Sequence, residues 1–435
     1  MDPDNRKGRL KLMKKTIIIK TAALALAVAC GVLFSAGCGT ASAEAGANPA
    51  AVSAAVSSVN SASRSLVNAE ELFSDRDLEQ TPDLSEAKTL SLSDGEDVLI
   101  SEEGVYLLQG SAVNATVTVE AENAKVQLVL DGVTIENESR PCIYVKSADK
   151  VFVTTLSDSS LSVTGSFTAD GDVKTDAVIF SREDLVLNGT AALTISSSHN
   201  GVSSKDDLKV TGGSYGITAS SKCLEGKDSV CICGGSFTLT AGSDAIHAEN
   251  DDDDSLGYVY IGGGTFSINV GDDGIHAKAF VQIDDGSFVI SAAEGIEGTS
   301  IQINGGTLNI QSWDDGINAA RKSTAYTVLV EINGGELTIV MGQGDTDGID
   351  ANGSIAINGG TVNITGNSGF DYDGTGTING GTVILNGQQL DYLPNQFMGG
   401  PGMGGPGMGG FGQGGDPGQG MGGGPGMGGG PGGRR

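Results

Sequence analysis

The sequence predicts an all-β fold in which one short unit is wound repeatedly on itself, a parallel β-helix. Three observations carry that reading. A glycine closes a turn at Gly213, Gly235, Gly264, Gly286, Gly306, Gly335, Gly360 and Gly381, at intervals of 20 to 29 residues, which is the length of one β-helical coil. On either side of each turn apolar and polar residues alternate, as in Ile301-Gln302-Ile303-Asn304 and Thr307-Leu308-Asn309-Ile310. Period two is the signature of a strand, and no 3.6-residue apolar spacing follows the N-terminal leader. Finally, 435 residues with 69 glycines and only 5% aromatics are too long and too poor in large side chains for one compact core. They suit a solenoid, whose narrow core grows with length.

Taken in order, residues 1–38 read as a targeting segment: Lys14-Lys15 precede an apolar run from Ile17 to Phe34 too short for a stop-transfer helix. The run ends Ser35-Ala36-Gly37-Cys38, which resembles the lipobox of bacterial lipoproteins and marks Cys38 for lipid attachment; Ala41-Ser42-Ala43 offers an ordinary cleavage site instead. Either route places the chain outside the cytoplasm, with a membrane contact only through such an anchor. Residues 39–84 read as a flexible Ala/Ser-rich tether. Residues 85–390 read as the β-helix, irregular at first (Val105-Tyr106-Leu107-Leu108, Val117-Thr118-Val119) and regular from Leu185. Residues 391–435 read as a disordered Gly/Pro/Met-rich tail. The chain is expected to be a monomer.

Within the regular coils two inward columns are legible: Tyr215, Phe237, Phe266, Phe288, Leu308, Leu337, Val362, Val383, and Ile217, Leu239, Ile268, Ile290, Ile310, Ile339, Ile364, Leu385. At the turns Asn188, Asn304, Asn333, Asn358 and Asn379, with Asp284 as substitute, should form an amide ladder. Cys142, Cys223, Cys231 and Cys233 have neither zinc nor redox spacing and read as free thiols.

The formal charge is −29; without residues 1–37 the balance is 18 basic against 52 acidic residues, a net −34. That excludes a nucleic-acid partner and favours cations. The acids concentrate in cassettes such as Asp315-Gly316-Ile317-Asn318-Ala319. Aligned coil on coil, the cassettes give a first column Asn200, Lys222, Asp244, Asp273, Glu294, Asp315, Asp347, Ser368. The second is Ser203, Glu225, His247, His276, Glu297, Asn318, Asp350, Asp371. The third is Lys205, Lys227, Glu249, Lys278, Thr299, Ala320, Asn352, Asp373. Alternation predicts that the second and third both face outward on a flat wall.

Carboxylates about 4.8 Å apart on adjacent strands repel by roughly 0.9 kcal/mol in water and about 3–4 kcal/mol at an effective dielectric near 20. Such a file needs cations, and Ca2+, with its shell of several oxygens, fits the gap. The candidate ligands are Asp244, Asp272, Asp273, Glu294, Glu297, Asp314, Asp315, Asp347 and Asp350. Asp251 to Asp254 read as a solvated loop. His247 and His276 share a column and read as groove residues, not zinc ligands, since no third histidine or thiolate joins them. With Lys227, Lys278, Asn318 and the only tryptophan, Trp313, they are the candidate carbohydrate contacts.

The Asn-Gly-Gly turns, the Asp-Gly-Ile cassettes and the stretch Val126-Gln127-Leu128-Val129-Leu130-Asp131-Gly132-Val133-Thr134-Ile135 give the chain a resemblance, over roughly residues 85–390, to the bacterial carbohydrate-binding parallel β-helix family. That resemblance implies a right-handed, single-stranded, pectate-lyase-like solenoid. It also implies a calcium-containing surface protein that binds cellulose or pectin, with calcium at Asp244, Asp272-Asp273, Asp314-Asp315 and Asp347 through Asp350. A polysaccharide ligand and a non-catalytic role follow; the alternative is a calcium-dependent pectate-type lyase with its base among Lys205, Lys227 and Lys278.

Overall fold

The computed structural model describes residues 65–343 and 346–395. The leader, Cys38, the first part of the tether and the residues beyond 395 lie outside the described residues. From Lys88 onward the chain is wound as a parallel β-helix with three strands to a coil, each strand pairing with its counterpart one coil on. The strands Asp207–Val210, Ser214–Ala219 and Leu224–Gly226 make one such coil, stacked on Ser229–Ile232, Ser236–Ala241 and Ile246–Ala248. The last pairing, of Thr382–Leu385 with Gln388–Leu390, is antiparallel and closes the end of the stack.

The inward columns stack in the register the repeat requires, Tyr215 on Phe237 on Phe266 on Phe288 on Leu308 and so on to Val383. The rings of Phe237, Phe266 and Phe288 lie parallel with centroids 4.7 and 4.5 Å apart, and all three are buried. The turn glycines are demanded by the backbone. At Gly335 φ is 82°, and a Cβ there would lie 2.7 Å from the carbonyl oxygen of Gly306 one coil below, so any side chain is excluded twice over.

The asparagine ladder forms with a uniform geometry: the Asn333, Asn358 and Asn379 amides each donate at 2.8 Å to the Oδ1 one coil back, and Asn304 donates to Asp284 at 2.7 Å. Asn188 is too far up the stack to join; it donates to the carbonyl of Glu79 and accepts from Thr154. All four described cysteines are free, three of them buried.

Two stretches depart from expectation. Residues 65–84 are not a tether; they run across the outside of the coils. Leu72 packs with Cys231 and Tyr260, and Asp77 is buried between Lys150 at 3.0 Å and Lys209 at 3.5 Å. Gln80 donates to the Thr211 carbonyl at 3.2 Å. At the other end the folded part reaches Asn395, whose amide donates to the Tyr372 carbonyl, while Leu393 is buried. Both segments lack a period, so only their docking partners on the coils order them.

The two 29-residue coils carry the excess as insertions at 250–257 and 320–327, and these fold on each other although two shorter coils separate them. Ser323 Oγ donates to the Asp254 carbonyl at 2.6 Å, Thr324 N donates to Asp254 Oδ2 at 2.7 Å, and the Tyr326 ring lies 5.1 Å from Phe280. The acidic insertion is thus a built wall. Asp251 and Asp252 are solvated, as the sequence suggested, but Asp254 is a docking residue.

Candidate functional site

The cassette strands align the second outward column as expected, with Ser203, Glu225, His247, His276, Glu297, Asn318, Asp350 and Asp371 in successive register. They do not form a flat solvated wall. His247 is 6% and Glu297 8% exposed, because each side chain lies against its neighbours and the insertions rise alongside. The result is a sunken groove whose two halves differ in how their charge is balanced.

In the first half the acids face lysine and histidine side chains. Glu225 accepts from Ser203 Oγ at 2.6 Å, Lys222 Nζ at 3.0 Å and Lys205 Nζ at 3.2 Å. Burial alone would push its pKa up, but the two ammonium groups outweigh it and hold it near 2. His247 Nδ1 lies 2.7 Å from Asp244 Oδ2, and the His247 ring stacks on His276 with centroids 4.6 Å apart. His276 Nδ1 is 2.7 Å from both Asp273 Oδ2 and Glu297 Oε2. Burial opposes its charge, yet these two carboxylates raise its pKa to about 9, so it is an imidazolium at neutral pH. Lys322 Nζ completes the set 2.6 Å from Glu297 Oε1.

The third column is tied down as well. Lys227 pairs with Asp252, and Lys278 donates to the Asn250 carbonyl at 2.8 Å and to Asp251 at 3.3 Å. A cleft of ≈ 370 Å³ opens here, lined by Lys205, Lys222, Glu225, Lys227, His247, Glu249, Asp251 and Asp252 with Ser204.

The second half is dominated by carboxylates. Among the described residues no lysine, arginine or histidine forms an ion pair with Glu294, Asp350, Asp371 or Asp373. Burial, then Glu297 and Asp273, push Glu294 up to about 8; burial, then Asp315 and Asp371, push Asp350 up to about 6. Asn318 donates to both oxygens of Glu294 at 3.2 and 3.3 Å, and its own Oδ1 is buried with no hydrogen-bond partner.

Of the other expected contacts, Trp313 stands 49% exposed at the rim beside exposed Asp314, and Asp272 is exposed one coil-edge from Asp244 and Asp273. Asp315 and Asp347 sit half-buried in the first column, with Asp347 N donating to Asp315 Oδ1 at 2.9 Å. One participant had no legible signal, Lys322, which arrives from an insertion outside the repeat; Glu249, placed in the third column by the alignment, approaches His247 Nε2 at 3.5 Å.

Against this geometry the comparisons with known proteins are informative. A family model described as carbohydrate-binding domain-containing protein matches residues 94–348 and 294–391. The chain belongs to this family. The match embraces the whole cassette groove and most coils of the carbohydrate-binding domain. A curated carbohydrate-binding domain-containing protein of Acetivibrio thermocellus is 34% identical over 136 residues, 30% of this chain and 47% of the relative, so the chain spans about half the length of the relative it matches. A solved structure described as the polysaccharide lyase-like protein from C. thermocellum, a gadolinium derivative, aligns with TM-score 0.44 at 27% identity over 57% of this chain and 99% of that one.

Proposed function

We propose that this carbohydrate-binding domain protein acts outside the cytoplasm as a non-catalytic receptor for plant cell-wall polysaccharide, holding acidic, pectin-type chains along the cassette groove with calcium in its carboxylate half. The observation that carries the reading is the uninterrupted outward file from Glu225 to Asp371, one residue per coil. Parallel coils about 4.8 Å apart present a periodic polar lane to a linear polymer. Its ammonium and imidazolium end suits uronate carboxylates, and Trp313 at the rim offers an aromatic face for a sugar ring.

Calcium fits the donors of the second half. Glu294 and Asp350 are hard oxygen ligands without basic partners in ion pairs among the described residues, Asp315 and Asp347 add carboxylates beside them, and the orphaned Asn318 Oδ1 is a neutral oxygen among them. Bound there, the ion would neutralise acids that otherwise repel. Asp244, Asp273 and Glu297 fit it less well because imidazole and ammonium groups already occupy them. The binding reading is supported over a lyase because each lysine offered as a base is engaged, Lys205 with Glu225, Lys227 with Asp252 and Lys278 with Asp251 and Asp254.

One further observation favours a cellulosic ligand on a different surface. The neighbouring face of the coils, carried by Ser236–Ala241, Thr265–Val270 and Thr307–Ser312, turns Thr238, Ser267, Asn309 and their like outward, all exposed and uncharged. The deciding experiment titrates polygalacturonate and cellulose oligomers into the protein with and without calcium while following unsaturated product. Calcium-dependent binding of polygalacturonate without product is expected; product formation would assign a lyase, and no binding to either polymer would remove the proposal.

A further inference from the structure

The first half of the groove, which the glycan reading uses only for its positive charge, also holds a donor set for a metal ion. One ligand atom each from Asp244, His247 and His276 lie within 4.8 Å of one another, and so do one each from Asp273, His276 and Glu297; the two sets share His276. All five side chains are largely buried, and they come from three adjacent coils whose register is fixed by the backbone ladder. Each set mixes imidazole nitrogen with carboxylate oxygen, and His276 joins the two. These sets differ in kind from the all-oxygen half a few coils on. Calcium seeks oxygen, whereas imidazole favours ions of the borderline class such as zinc.

We propose that the two donor sets Asp244–His247–His276 and Asp273–His276–Glu297, joined at His276, hold one divalent transition-metal ion, zinc by preference, apart from the carboxylate half to which the proposed function assigns calcium. Sequence spacing argued against zinc because no third histidine or thiolate shares the column. The structure supplies the remaining donors from the neighbouring first column and the next coil, as carboxylates.

The 2.7 Å contacts of His247 with Asp244 and of His276 with Asp273 and Glu297 are the lengths of proton-held pairs. A zinc ion bonded at about 2.0–2.2 Å to its donors takes the place of such a proton, with the ligands moving apart by roughly 0.7 Å to reach tetrahedral spacing. Lys322 stays with Glu297 Oε1, leaving Oε2 for the ion. Entry is through the ≈ 370 Å³ cleft, where His247 and Glu249 form part of the lining. Because the coils fix the backbone spacing, little chain entropy is lost on binding.

The test uses the full chain, stripped with EDTA and then saturated with calcium, so that the carboxylate half is filled before zinc is added. Calorimetry should count one zinc per chain, with about one proton released per ion at neutral pH. His247→Gln and His276→Gln should each weaken it at least about tenfold. Asp350→Asn, in the calcium half, should leave zinc binding unchanged while altering the calcium response, so failure of the calcium reading and failure of this one are separable. Should the histidine variants fold poorly, X-ray absorption of zinc on the unaltered protein should show imidazole scattering. No zinc uptake in the presence of calcium, full uptake by both folded histidine variants, or an oxygen-only coordination shell would each overturn the proposal.

Discussion

The two halves of the cassette groove share one backbone plan and the same cassette, yet they solve the burial of charge in opposite ways. Between Glu225 and Glu297 the protein supplies its own cations: Lys205, Lys222, His276 and Lys322 each lie within 3.2 Å of a carboxylate. For Glu294, Asp350, Asp371 and Asp373 the described residues supply none in ion pairs, and Glu294 and Asp350 are driven toward protonation. A buried charge with its partner is tolerated, whereas a buried file of like charge raises its own pKa values or takes up an ion. The first half therefore balances its own charge, and the second is the half in which we propose calcium.

The largest expected break of this contrast is Glu225→Gln. It leaves Lys205 and Lys222 without their shared anion and should cost about 3 kcal/mol, measured by urea unfolding, with or without calcium. A calcium-dependent cost would show that the halves are not separate. Calcium removal comes next. At an ion concentration about 100 times Kd the second half should lose about 2.7 kcal/mol on adding EDTA, seen as a fall in Tm. Asp350→Asn should erase much of that calcium effect and, in EDTA, stabilise the chain by about 1 kcal/mol through relief of like charge. The smallest effect serves as the control: Asn358→Ala, in the amide ladder on another face, should cost about 1 kcal/mol irrespective of calcium.

The pH response sharpens the same comparison, and its sign sets Glu225 apart from the acids of the second half. Asp350 and Glu294, raised to about 6 and about 8, hold protons that the unfolded chain has released. In metal-free protein their stabilisation is complete at low pH, below the ordinary values of 3.8 and 4.5. It is lost as pH rises through about 6 and then about 8. His276 acts in the same direction, its contribution present below 6.5 and gone above about 9. Glu225, held near 2, contributes above 4.5 and loses that contribution as pH falls through about 2. Urea midpoints measured across pH in EDTA should show an alkaline fall that Asp350→Asn and Glu294→Gln flatten, and an acid fall that Glu225→Gln flattens.

Much of this was legible in the chain. The glycine period gave the coil, and the apolar alternation gave the columns from Tyr215 to Val383, because a strand's side chains must alternate and a closed coil must stack them. The cassette alignment placed His247 over His276 and Asp350 over Asn318 before any coordinates. What it misjudged was depth: outward is not the same as solvated when neighbours and insertions cover a side chain, as at Glu297. Lys322 and the docking of Leu72 against Cys231 and Tyr260 had no signal, since neither lies in a period.

By itself the sequence determined the β-helix, its register and the files of like residues, because these follow from patterns within a coil and repetition between coils. Only the tertiary structure decided which acids are paired with cations and which, like Glu294 and Asp350, are pushed toward protonation. The counter-charges and walls come from aperiodic segments, the insertions at 250–257 and 320–327, whose positions are fixed by their contacts with one another and with the coils. Electrostatic balance depends on separations of a few ångströms, and no repeat length encodes those.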